Sequence, residues 1–129
     1  ISGMGLQGLT STEKRGAHFR HVLDNIGSHE RGSPAWMAEA FLKTTGGDPV
    51  ALRLILDTFV DTSEQELRGI ETPVAVICGD EDNDNGSATD LATALSHGKY
   101  FAITGNHMSA VTKPELGHAM IEALTGDIW

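Results

Sequence analysis

At 129 residues, with 40% hydrophobic and 21% charged side chains, the chain has the balance of a single globular domain long enough to bury a core. Eighteen acids against nine Lys and Arg leave a net charge of −9. With no Lys/Arg cluster to track a phosphate backbone, no nucleic-acid or membrane partner is expected. No apolar run approaches the roughly 20 residues of a membrane span. The single Cys78 lies in an apolar stretch and is expected to be a small buried side chain in a fold that needs no disulfide.

The chain starts Ile1-Ser-Gly-Met4, without an initiator Met or a signal-like leader, and reads as the middle of a longer protein; a cytoplasmic location is expected. Residues 1–9 read as a strand end entering a glycine-rich loop, with a flexible terminus as the alternative. Gly3, Gly5 and Gly8 match G-x-G-x-x-G, but no adequate strand precedes them and no acid follows at the distance a ribose requires. No cofactor is therefore expected.

Residues 10–69 read as helical. Thr10-Ser-Thr-Glu13 has the form of a capping box, Phe19, Val22, Leu23 and Ile26 fall on one helical face, and Gly27 ends it. His18 and His21 lie on that helix without further ligands, so they read as solvated and no metal site is expected. Ser33-Pro34 opens a second helix with the apolar stripe Trp36, Met37, Ala40 and Phe41, closed by Gly46-Gly47. Asp48-Pro49 opens a third, whose Leu52, Leu54, Ile55, Leu56, Phe59 and Val60 are apolar on more than one side, the pattern of a helix covered on two faces. Ser63-Glu-Gln-Glu66 is a second capping box. The whole stretch resembles a lid or cap inserted into a larger fold.

The pattern changes over residues 70–129. Ile70-Glu-Thr-Pro73-Val-Ala-Val-Ile-Cys78 is a nearly continuous apolar run, as in a parallel strand covered on both faces. An acidic loop, Gly79 to Gly86, follows. Ser87 then caps a helix bearing Ala88, Leu91, Ala92 and Leu95, and Lys99–Ile103 forms a second strand that ends in Thr104-Gly-Asn-His107. The last helix starts near Pro114, with Leu116, Ala119, Met120, Ala123 and Leu124 on one face. Helical crossovers join parallel strands, so both loops leave the same sheet edge, where open α/β sheets bind ligands. The expected fold is α/β, a partial parallel sheet of about three strands with a helical lid insert.

Three readings of the acidic loop are open. It is a solvated turn, a cation loop, or the source of a carboxylate that orients a histidine. Asp80, Asp82 and Asp84 alternate as calcium ligands would, but the sixth and twelfth positions hold Asn85 and Leu91 where Gly and Glu are required. An imidazole can take a proton from a hydroxyl and return it to a leaving group, and a carboxylate on its other nitrogen fixes the tautomer.

Ile70-Glu-Thr-Pro73-Val-Ala-Val-Ile77 with Gly79-Asp-Glu-Asp82, then Phe101-Ala-Ile-Thr-Gly105-Asn-His107 and Lys113-Pro-Glu115, resemble the C-terminal portion of the α/β-hydrolase superfamily. There one strand delivers the acid of a catalytic triad and the next its histidine. The resemblance implies that Asp82 is the acid and His107 the base, with Asp84 an open alternative for the acid, and that residues 10–69 stand where that superfamily carries its lid. The chain departs from the pattern in having no G-x-S-x-G and no variant of it. The resemblance therefore implies a parent enzyme that hydrolyses an ester or another small carbonyl substrate, and an isolated chain that is inactive. The alternative is a free-standing non-catalytic α/β module. A homo-oligomer through an exposed sheet edge is expected.

Overall fold

The computed structural model describes Ile1–Gly126; residues 127–129, at the end of the expected 70–129 segment, lie outside the described residues. In chain order the helices and strands are α1 (Leu6–Thr10), α2 (Thr12–Asp24), α3 (Pro34–Thr45), α4 (Pro49–Leu56), α5 (Glu64–Arg68), β1 (Val74–Gly79), α6 (Ala88–Ala94), β2 (Gly98–Ile103) and α7 (Pro114–Thr125). Ile1–Thr10 with the chain from Thr62 onward makes one compact unit, and Ser11–Asp61 makes a second. No helix among the described residues is long and apolar enough to cross a membrane.

The first unit is a small α/β arrangement. β1 and β2 pair in parallel, with Val74 beside Gly98 and Gly79 beside Ile103. Instead of a third strand, Ser2 makes one isolated parallel bridge to Ile77, supported by Ile77 N–H donating to Ile1 O at 2.9 Å and Gly3 N–H donating to Ile77 O at 3.0 Å. Alternation along β1 sends Val76 and Cys78 to one core, with Leu67, Ala88, Leu91 and Leu95. Ile77 goes to a second core on the opposite face, with Ile103, Ala110 and Ala119. Both faces of the strand are thus covered, the physical reason its sequence is apolar without alternation. On α7, Ala119 and Ala123 are buried whereas Met120 and Leu124 are exposed.

The glycines near the start have a packing role. A Cβ on Gly5 would collide with the backbone carbonyl of Gly86. Close approach lets Leu6 N–H reach Ser87 O at 2.9 Å and Gly8 N–H reach Asn85 O at 2.8 Å. Ser87 caps α6 by accepting from Asp90 N–H at 3.0 Å, and Ser63 and Glu66 form the expected capping box of α5.

In the second unit the caps of α3 and α4 form as the sequence suggests. Ser33 accepts from Trp36 N–H, and Asp48 accepts from Val50 and Ala51 N–H. The expected capping box at Thr10 does not form. Ser11 makes no side-chain cap to α2, and Asp61 Oδ1 takes the Thr12 N–H at 2.6 Å in its place. The expected apolar stripe of α3 also faces outward, Phe41 being 59% exposed, while Glu39 on the same helix is buried. Nor is α4 covered on two faces: Leu56 is buried, but Leu54 is 65% exposed.

Glu39 is satisfied by the Gly27 N–H at 2.9 Å and by the Lys43 ammonium. The Lys43 hydrogen bond, then that of Gly27, hold its carboxyl below its ordinary 4.5. Arg20 and Arg53 hold Asp57 below 3.8, and Thr12 does the same for Asp61. Each carboxyl binds its proton more weakly folded than unfolded, so its contribution is complete above the ordinary range and is lost as pH falls below it. Helical signal at fixed temperature should therefore hold between pH 7 and pH 5 and decline as pH falls below about 4, with Glu39→Gln and Asp57→Asn flattening that decline; circular dichroism against pH checks this.

Candidate functional site

The register sets the site. Because Gly79 and Ile103 are paired neighbours at the carboxyl ends of β1 and β2, the loops leaving them start side by side. In the first loop, Asp82 N–H donates to Gly79 O at 3.1 Å, and this turn folds Asp82 back into a buried position. In the second, Asn106 Oδ1 accepts from Met108 and Ser109 N–H at 3.1 and 3.0 Å, and Ser109 Oγ accepts from Asn106 N–H at 3.0 Å. That closed turn presents His107.

His107 Nδ1 lies 3.0 Å from Asp82 Oδ2. Facing an ionised carboxylate, which only accepts, Nδ1 carries the proton, and Nε2 of the neutral ring is the acceptor. The Asp82 side chain is 3% exposed and that of His107 34%, so the pair is dry at its carboxylate end and open at its imidazole end. The remaining Asp82 oxygen accepts the Asp84 N–H at 3.2 Å. Gly3, with φ +63, sets its backbone against the imidazole: a Cβ there would sit 3.5 Å from His107 Cε1. Its carbonyl accepts from the buried Asn85 at 2.7 Å. A cavity of about 90 Å³ is lined by Asp82 and His107 on its polar side and by Ile77, Ile103 and Leu116 on its apolar side.

Cys78 points its thiol at Asp82 Oδ2, 3.5 Å away. Burial, then the Asp82 charge, push the thiol up to about 11, so it stays protonated and donates instead of acting as a nucleophile.

Of the three acids that alternate in the loop, Asp82 alone meets the imidazole in a hydrogen bond. Asp84 is exposed, and Asp80 Oδ1 instead accepts the Gly105 N–H at 2.8 Å. Ligand atoms of Asp82, Asp84 and His107 lie within 4.8 Å of one another, so these are the described residues that could hold a cation. A cation bound by both Asp82 Oδ2 and His107 Nδ1 would have to displace their hydrogen bond and the Nδ1 proton. His18 and His21 join no such group; His18 stands edge-on to Phe19, and His21 lies 5.5 Å from the His29 ring. Sequence reasoning missed Gly3, Asn85 and Asn106 as parts of the site, and placed Asp80 only among the alternating acids of the loop. Asn after Gly at a strand end, a strong turn former, was the available signal for Asn106.

In comparisons with known proteins, no family model matches the chain, and no curated protein matches it.

Proposed function

We propose that this chain is the C-terminal portion of an α/β-hydrolase, with Asp82 as the acid and His107 as the base of a catalytic triad whose nucleophile lies outside these 129 residues. The observation that carries the reading is the 3.0 Å contact between a buried carboxylate and a half-exposed imidazole on adjacent carboxyl ends of parallel strands. His107 Nε2 takes a proton from a hydroxyl nucleophile as it attacks an ester carbonyl and delivers that proton to the leaving alkoxide; Asp82 holds the tautomer and offsets the imidazolium charge. In this reading Ile1–Gly5, bridged to β1 at Ser2, corresponds to the end of the strand before the lid, and the helical stretch 10–69 is the lid segment. A small-molecule ester or related carbonyl compound is the substrate class.

Residual catalysis without the nucleophile would have to come from binding and oxyanion groups alone. The purified chain should therefore cleave p-nitrophenyl acetate no faster than its His107→Ala variant. Turnover by the purified chain that His107→Ala abolishes would overturn the assignment of the nucleophile to another segment.

A second reading, a non-catalytic α/β module that self-associates, draws on the outer edge of β2, which pairs with no further strand among the described residues, and on the outward-facing Met37, Phe41, Leu54 and Val60. Sedimentation showing a well-folded monomer at all concentrations tested counts against it.

A further inference from the structure

Three acids alternate in the loop after β1, yet the proposed triad uses one. We propose that Asp80 is a positioning residue that locks the histidine loop to the acid loop, setting the separation at which His107 reaches Asp82. The inference rests on the reading of Asp82 and His107 as a working pair.

Besides the Asp82–His107 pair itself, the two loops are cross-linked through Gly105. Asp80 N–H donates to Ile103 O at 2.8 Å, continuing the β1 to β2 ladder by one residue, and Glu81 N–H donates to Gly105 O at 3.0 Å. The Asp80 carboxylate closes the ring by accepting the Gly105 N–H at 2.8 Å. Gly105 thus has both backbone groups bonded to the acid loop. Two glycines allow this approach: a Cβ on Gly79 would collide with Gly105 O, and Gly105 itself has φ +121, a conformation other residues rarely adopt.

Geometry gives the alternating acids different roles. Asp80 reaches across to the neighbouring loop, Asp82 turns back toward the strand end, and Asp84 supplies its backbone N–H to Asp82. From Gly105 the chain has only Asn106 before His107, so an anchor at Gly105 transmits directly to the imidazole. Nothing else among the described hydrogen bonds holds the Gly105 N–H. Without the Asp80 acceptor, that group and the start of the Asn106 turn are freed to move away from Asp82.

The test uses the 129-residue chain labelled with ¹⁵N, and reads the protonated ring nitrogen of His107 by long-range ¹H–¹⁵N spectra and the exchange rate of the Gly105 amide. In wild type the proton is expected on Nδ1, and Asp82→Asn should abolish that preference. Asp80→Ala should lose the Nδ1 preference and speed Gly105 exchange about tenfold or more, the size of one hydrogen bond to a charged acceptor. Asp80→Asn keeps an acceptor oxygen and should retain the preference.

Loss of the Nδ1 preference in both Asp80 variants, or in neither, overturns the positioning role while leaving the pair intact. A wild-type ring with no Nδ1 preference overturns the pair and this inference with it. Should Asp80→Ala not fold, the wild-type Gly105 amide decides: protection like that of the β2 amides supports the lock, and exchange at an open-loop rate overturns it.

Discussion

Joined to the segment that supplies its nucleophile, the chain is expected to hydrolyse a small ester, and Asp82→Asn is expected to lower kcat by about 10⁴-fold with KM little changed. The substitution keeps the volume but removes the charge and lets the side-chain amide donate, so Nδ1 no longer has to carry the proton. The ring can then present a protonated Nε2 to the nucleophile, which is the wrong tautomer for a base. Because Asp82 is buried and bonded to His107, while Asp84 is exposed and contributes its backbone N–H, Asp84→Asn should change kcat by less than about tenfold. Steady-state kinetics on both variants checks this. Equal losses at Asp82 and Asp84, or none at Asp82, would sink the assignment of the acid.

The second large effect is structural. Leu91→Ala should destabilise the chain by about 2–5 kcal/mol, a large share of the roughly 5–15 kcal/mol that a domain of this size holds in total. Leu91 is fully buried where α6 meets β1, among Leu67, Val76, Cys78 and Leu95. Its neighbours include a strand and a capped helix, both hydrogen-bonded along their lengths, so the vacated space cannot collapse. The cost then combines lost transfer energy with a residual cavity. Leu124→Ala, at a site 85% exposed on α7, should fall within about 0.5 kcal/mol of wild type. Urea unfolding checks both, with the midpoint moving for Leu91→Ala at constant slope.

Both sites adjoin the same strand, β1, and much of that strand can be read locally. The continuous apolar run after Pro73 reports coverage on two faces, and the structure has a core on each side of β1. Caps at Ser33, Asp48, Ser63 and Ser87 are legible because donor and acceptor lie within three residues of each other. The failed capping box at Thr10 marks the limit of local reading. Asp61, 49 residues from Thr12, takes the Thr12 N–H at the start of the helix, and nothing near Thr10 announces it. The outward Trp36, Met37 and Phe41 make a related point. Helical period tells which side chains share a face, but whether another element covers that face depends on distant parts of the chain.

The sequence by itself determined that two strands end in loops, one carrying acids and one a histidine, with an α/β order that sends both loops to one edge. The choice between Asp82, the acid expected from the sequence, and Asp84, its open alternative, as the partner of His107 was decided by tertiary structure. The pairing of Gly79 with Ile103 and the Asp80 bond to Gly105 join residues about two dozen positions apart. Their separations are set by strand register and by glycines that let two backbones touch, and neither leaves a periodic trace in the chain.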